Sequence, residues 1–157
     1  MRKTTLTILI ILIIAFGVRY WQKKQTPLKS SPNETNSLVI GKNAIYATEQ
    51  KPGNKLMVEF ALLAAPGFVV IHENNTGQPG KISGVSALLA PGKTQGVLIT
   101  LGRGTKNQET LFAMLHRDNG DGVFDQTSDP PILENGEPVM MEFAIDEGAQ
   151  YPGDVKL

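Results

Sequence analysis

The chain has 157 residues, no cysteine, and 15 Lys and Arg against 15 Asp and Glu. This length allows one domain with a sizeable core, and 41% hydrophobic with 19% charged residues excludes both a fully disordered chain and a protein with many membrane spans. Because cysteine is absent, disulfide bonds, zinc–thiolate sites, iron–sulfur clusters and thiol nucleophiles are excluded. Sixteen Gly and ten Pro indicate many turns, which is typical of an all-β domain.

The first predicted element is a hydrophobic helix at the amino terminus. Residues 4–18 carry no charge and have basic residues on both sides. A helix of this length reaches roughly 22 Å, less than the roughly 30 Å of a hydrocarbon core. Two interpretations remain open: residues 4–21 are an uncleaved transmembrane anchor with Tyr20 and Trp21 at the interface, or a signal peptide cleaved near Gly17. Basic residues directly after a cleavage site hinder export, which favours a single-pass anchor with the rest of the chain outside the cytoplasm.

Residues 25–37 are polar, contain two prolines and predict a flexible linker before a domain at residues 38–157. The balanced net charge hides an uneven distribution. After Lys24 the chain has ten Lys and Arg against fifteen Asp and Glu, a net charge of −5, and residues 118–155 contain ten acids and no base. Nucleic-acid binding requires clustered basic residues, so we expect no nucleic-acid partner.

Within the domain, short apolar stretches alternate with turn residues. They predict strands at residues 43–50, 55–63, 67–73, 81–85, 96–101, 110–117 and 137–145. About seven strands at this spacing, with no long amphipathic helix, predict an all-β fold in which two antiparallel sheets form a sandwich.

The alternation of side chains along a strand predicts which residues share a face. Phe68, Val70 and His72 share one face of their strand. In a later strand the shared face holds Phe112, Met114 and His116. Because both faces of these two strands are apolar, we expect central strands with one face in the core and the other partly covered.

An ordered set of motifs in this domain resembles a known family. The motifs are PGFVVIHE (66–73), GVSALLAPG (84–92), VLITL (97–101), TLFAMLHRD (110–118), DGVFD (121–125), SDPPILENGEPV (128–139) and FAI (143–145). Together they are similar to a small β domain of unknown function, often repeated, in secreted surface proteins of halophilic archaea and in some bacteria. The resemblance implies an extracytoplasmic immunoglobulin- or cupredoxin-like sandwich with no established activity. This chain departs from the family in having one copy behind an anchor, and in an acidic loop one residue shorter than the usual Asp-x-Asp-x-Asn-Gly.

The acidic loop is the first candidate site. Calcium requires several oxygen ligands, and an EF-hand loop supplies them from alternate positions before a glycine turn. Asp118, Asn119, Asp121 and Asp125 could provide such ligands, although Asp118 is one residue out of register for this pattern. The alternative is a turn in which these side chains accept hydrogen bonds from their own backbone.

His72 and His116, the two histidines of the chain, are the second candidate site. Imidazole and thioether ligands suit Cu(I), so these two residues with Met114 could bind copper, although a blue-copper centre would also need a cysteine. A shared site requires the two histidines to lie within about 10 Å of each other. The alternatives are a structural histidine bonded to a neighbour, which for His116 could be Asp118, and a general base.

The sequence therefore predicts a non-catalytic binding or structural module, tethered to the membrane through its amino-terminal helix, with a protein or a surface polymer as partner. The first alternative is a metal-binding protein, with calcium at residues 118–125 or copper at His72 and His116. The second alternative is a hydrolase-like enzyme that uses His116 and Asp118.

Overall fold

The chain divides into two units, Met1–Leu38 and Val39–Leu157. The computed structural model describes residues 42–150, which belong to the second unit. The predicted anchor at residues 4–21 and the predicted linker at residues 25–37 lie outside the described residues. Across residues 42–150, no helix has the length and apolar character needed to span a membrane.

The described residues form an all-β domain. Its strands are β1 (Ala44–Tyr46), β2 (Lys55–Leu63), β3 (Gly67–Asn75), β4 (Gln78–Val85), β5 (Gly92–Thr100), β6 (Thr110–Arg117), β7 (Leu133–Glu134), β8 (Glu137–Pro138) and β9 (Met140–Ala144). One sheet has the order β1-β2-β5, a second has the order β4-β3-β6-β9, and β7 and β8 form a small hairpin. Every pair of neighbouring strands is antiparallel, which confirms the predicted all-β class and antiparallel sheets.

Some strands begin and end at the predicted residues, and others do not. β2 and β6 have the predicted ends, whereas β4 begins three residues before the predicted start at residue 81. Thr76 and Gly77 have positive φ values of 54° and 83°, which form the two-residue turn that extends the β3–β4 hairpin. β5 begins at Gly92 rather than residue 96, because residues 92–95 also pair with β2, and Gly96, with φ of 63°, lies inside the strand.

The two larger sheets enclose a common hydrophobic core. Its buried side chains include Leu56, Val58, Val97 and Ile99 from the three-stranded sheet and Val69, Ile71, Leu111 and Leu115 from the four-stranded sheet. Burying one such side chain stabilises the fold by about 1.5–3 kcal/mol. This shared core fixes the outward face of the four-stranded sheet, because alternate residues of its strands must point away from it.

β3 and β6 are the two central strands of the four-stranded sheet, as predicted. Their outward-facing residues were expected to be only partly covered. Instead these residues are buried, with exposed fractions from 0% at Val70 to 6% at His72. The domain therefore has a second buried layer outside its main core.

Candidate functional site

The second buried layer contains both histidines. Its central members, which we call the histidine face, are Phe68, Val70, His72, Phe112, Met114 and His116. The antiparallel register pairs Phe68 with His116, Val70 with Met114 and His72 with Phe112, which confirms the predicted sharing of faces. Met114 and Val70 thus occupy the register position midway between the two histidines.

The imidazole rings of His72 and His116 lie close together although the two residues are offset along the strands. The register separates His72 and His116 by four positions along the paired strands, yet their ring centroids are 5.6 Å apart and the rings are inclined by only 19°. A four-residue offset corresponds to roughly 13 Å along a strand, so the two side chains must lean toward each other. The separation lies well within the 10 Å that a shared site requires.

Each histidine uses one ring nitrogen to donate a hydrogen bond to the backbone. Nδ1 of His72 lies 2.9 Å from the carbonyl oxygen of Gly80, and Nδ1 of His116 lies 2.7 Å from that of Asp129. A carbonyl oxygen only accepts, so both Nδ1 atoms carry the proton, and in the neutral ring Nε2 is then left with a lone pair. Both Nε2 atoms are buried, and no atom of the described residues forms a hydrogen bond with either of them.

The surroundings of His116 keep its imidazole neutral. Burial lowers the pKa of His116 below its usual value, the hydrogen bond to the Asp129 carbonyl partly opposes this shift, and the nearby His72 adds to it. A neutral ring with its proton on Nδ1 keeps the Nε2 lone pair available. Near neutral pH the His116 ring therefore offers a nitrogen donor and not a cation.

The loop that follows β6 covers His116. Phe124 packs edge-on against both His116 and Phe68, with ring centroids 5.5 Å away in each case. Asp129 has an exposed fraction of 0%, and its two carboxylate oxygens accept the backbone N–H groups of Asn119 at 2.9 Å and Asp125 at 2.8 Å. The Asp129 side chain thus fixes the loop whose backbone carbonyl binds His116.

The four residues predicted to bind calcium accept hydrogen bonds within this loop. Asp118 accepts the N–H of Gly122, Asn119 that of Asp121, Asp121 that of Val123, and Asp125 those of Thr127 and Ser128. The last two bonds lower the pKa of the Asp125 carboxyl. Across residues 42–150, no three His, Asp or Glu side chains lie close enough together to hold a metal ion. The calcium hypothesis gains no support from this geometry, which corresponds to the alternative of a self-bonded turn.

The expected hydrogen-bond partner of His116 was Asp118, and the structure corrects this expectation. His116 donates to the backbone of Asp129, while the carboxylate of Asp118 accepts the N–H of Gly122. The two residues of the hydrolase alternative therefore each have a different partner. Asp129 and Gly80 were missed because a backbone carbonyl leaves no signature in a sequence. Phe124 had a visible signal, since it is a large aromatic residue within a run of Asp and Gly.

The surface offers two further features. A hollow of about 480 Å³ lies beside the end of β6, lined by Asn43, Ala64, Arg117, Pro131 and Leu133 among others. On the outward face of the three-stranded sheet, Tyr46 stacks on Phe60 at 5.8 Å, and Nζ of Lys93 lies 4.5 Å from the Phe60 ring centroid. Leu98 on the same face is 69% exposed.

Residues 43–146 match the family described as a domain of unknown function, DUF7282. The chain belongs to this family. Over 93 residues it is 31% identical to a segment of cell surface glycoprotein 1 of Haloarcula hispanica. That match covers 58% of this chain but 10% of the relative, so the chain spans only about a tenth of the relative's length. No solved structure matches the chain.

Membership of DUF7282 confirms the resemblance predicted from the motifs. The matched residues, 43–146, include both histidines, Met114 and the whole loop that carries Phe124 and Asp129. The site described here therefore lies entirely within the DUF7282 domain of this chain.

Proposed function

We propose that this protein is a non-catalytic surface module, anchored by residues 4–21 and displaying an immunoglobulin- or cupredoxin-type sandwich outside the cytoplasm. The observation that carries this proposal is the similarity of a DUF7282 domain to a segment of a cell surface glycoprotein. The match covers 10% of that glycoprotein, so the similarity bears only on the domain, and the support for the anchor comes from the sequence.

The sequence before the domain supports a tether. Residues 4–18 are uncharged, and Arg19, Lys23 and Lys24 follow them. Basic and aromatic residues at the end of a short hydrophobic helix extend it into the membrane interface. As a flexible coil, the predicted linker at residues 25–37 would span roughly 20 Å, which would hold the domain near the membrane surface.

The geometry of the histidines supports a non-catalytic role. A general base must reach its substrate, but the exposed fractions of His72 and His116 are only 6% and 2%. The Nδ1 atoms of both rings already donate to backbone carbonyls. A hydrolytic role for His116 with Asp118 is therefore disfavoured.

The outward face of the three-stranded sheet supports a binding role. Tyr46 and Leu98 are 43% and 69% exposed there, beside the cation–π pair of Phe60 and Lys93. Exposed aromatic rings next to a cation suit contact with a protein or a surface polymer. We propose this face as the contact surface of the module.

Anchoring and display can be tested with the full-length chain carrying a carboxyl-terminal epitope in intact cells. We expect the tagged protein in the membrane fraction, uncleaved, with its domain removed by a protease added outside the cells. Ile11→Arg should abolish membrane insertion, because an arginine at the centre of a membrane helix costs about 2.5–3.5 kcal/mol. Ile11→Leu is the matched control and should behave as the unchanged protein.

Two outcomes would contradict the proposal in different ways. Digestion only after cell lysis would overturn display outside the cytoplasm. Release into the medium as a chain shortened near Gly17 would overturn the anchor and establish a cleaved signal peptide.

A further inference from the structure

The two Nε2 atoms of the histidine face present an unusual pair of acceptors. Both are buried, and within residues 42–150 neither has a hydrogen-bond partner. A buried polar atom without a partner costs about 1–3 kcal/mol. Because both Nδ1 atoms carry the proton, both Nε2 atoms are acceptors, and one cannot satisfy the other. A Lewis acid that takes both lone pairs would remove both costs.

The separation of the two rings is within the reach of one shared ion. A metal–nitrogen bond is about 2 Å long, and a ring nitrogen lies about 1.2 Å from the centroid of its imidazole. Two imidazoles that bind one ion from opposite sides therefore have centroids at most roughly 6.4 Å apart. The centroids of His72 and His116 are 5.6 Å apart. This separation is below that limit, and a shared ion would hold the two nitrogens in a bent arrangement.

The backbone hydrogen bonds give the histidines the form of metal ligands. Metal-binding histidines generally donate the second ring N–H to a carboxylate or a backbone carbonyl, which fixes the ring orientation and the tautomer. Gly80 and Asp129 provide such carbonyls to His72 and His116. Both rings are therefore held with Nε2 as the free donor before any ion binds.

The donor set selects the ion. The histidine face offers two imidazole nitrogens, and Met114 occupies the register position between the two histidines. The surroundings are apolar, with Phe68 and Phe112 2% and 4% exposed. The cost of burying an ion rises with the square of its charge, so neutral donors in such surroundings favour a monovalent ion. Imidazole with thioether is a donor set that Cu(I) prefers.

We propose that His72 and His116 bind one Cu(I) ion through their Nε2 atoms, with the Met114 thioether as the third ligand. This site is independent of the proposed surface function, because display and anchoring do not require it. Binding forms and breaks only metal–ligand bonds, so it requires no oxidant or reductant.

The test titrates the full-length protein with Cu(I) under anaerobic, reducing conditions against a coloured Cu(I) chelator. We expect one Cu(I) ion per chain. His72→Asn and His116→Asn keep an amide N–H near the Nδ1 position but remove Nε2. Each should weaken Cu(I) binding by more than about 100-fold, since loss of only the hydrogen-bond partner of a metal-binding histidine costs 10–100-fold. Met114→Leu conserves volume and should weaken binding about 10-fold. Met57→Leu, at a methionine on β2 in the three-stranded sheet, is the matched control and should have no effect.

Nuclear magnetic resonance of the unchanged protein gives a second readout that needs no variant to fold. Long-range proton–nitrogen spectra report the state of each imidazole nitrogen, and Cu(I) does not broaden them because it is diamagnetic. We expect both Nε2 resonances to shift at one equivalent of Cu(I), while both Nδ1–H groups persist.

Three results would overturn the proposal. In the first, the Nε2 resonances do not respond to Cu(I), which would indicate a pair bridged by water that binds no metal. In the second, the folded asparagine variants, checked by circular dichroism, bind Cu(I) as tightly as the unchanged protein. In the third, Zn(II) displaces Cu(I) at equal concentration, which would refute the assignment of the ion.

Discussion

The buried carboxylate of Asp129 provides a sharp test of how the acidic loop is held. Its two oxygens accept one backbone N–H each, from Asn119 and from Asp125. Asp129→Asn conserves shape, but it keeps only one acceptor oxygen and places an NH₂ group against the other backbone N–H. One charge-assisted hydrogen bond is lost, and one buried donor remains unpaired.

The expected cost follows from these two changes. A hydrogen bond to a charged group contributes about 1.5–3 kcal/mol, and an unpaired buried donor costs a comparable amount that local relaxation reduces. We therefore expect Asp129→Asn to lower the free energy of unfolding by about 3 kcal/mol. Asp121→Asn is the matched control, because the Asp121 carboxylate is exposed and also accepts a backbone N–H, from Val123. A surface substitution of this kind should change stability by less than about 0.5 kcal/mol.

The measurement is urea unfolding of the full-length protein at neutral pH, followed by far-ultraviolet circular dichroism. The linear dependence of the unfolding free energy on urea gives the difference between each variant and the unchanged protein. If Asp129→Asn is no more destabilising than Asp121→Asn, the carboxylate does not hold the loop, and the reasoning is refuted.

Two further predictions follow from burial and close packing. Burial lowers the pKa of His116, so below about pH 6.5 the unfolded chain binds a proton at this residue that the folded ring does not. The free energy of unfolding should therefore fall as the pH drops from 6.5 to 5.5, by at most about 1.4 kcal/mol per pH unit. Urea titrations of His116→Asn should lack this contribution, and an unchanged pH dependence would contradict it. Gly67→Ala would place a Cβ atom 2.3 Å from the His116 carbonyl oxygen and should cost about 1–3 kcal/mol in thermal or urea unfolding. Gly53→Ala, where the nearest atom lies 3.9 Å away, should be neutral, and equal effects of the two substitutions would refute the steric reason.

The strands of this domain could be predicted where the signal is local. β2 and β6 have alternating or continuous apolar residues between turn residues, and their limits agree with the prediction. The sharing of faces by Phe68 and His72 also follows from alternation alone. The short β7–β8 hairpin was missed although its turn, Asn135-Gly136 with φ of 53° and 88°, is a local hairpin signal. The early start of β5 was not predicted, because it depends on pairing with β2 and on the positive φ of Gly96.

The sequence indicated the residues of the histidine face but not their hydrogen-bond partners. His72, His116 and Met114 were identified from residue type and parity. The partners of the two rings are backbone carbonyls 8 and 13 residues away in the chain, which are brought close only by the folded hairpin and loop. An aspartate such as Asp129 is expected on the surface by default, and no local pattern indicated that it would be fully buried.

The acidic loop and the histidines were predicted as two separate metal sites, and the geometry joins them into one unit. Alternating Asp and Asn residues before glycines can bind an ion or can bind their own backbone, and a sequence does not distinguish the two uses. Here the carboxylate of Asp129 accepts backbone N–H groups and shapes the loop, while its carbonyl oxygen accepts the Nδ1–H of His116. That bond determines which nitrogen of the ring keeps a lone pair. The loop oxygens thus organise the site, and the imidazole nitrogens are the atoms it offers to a ligand.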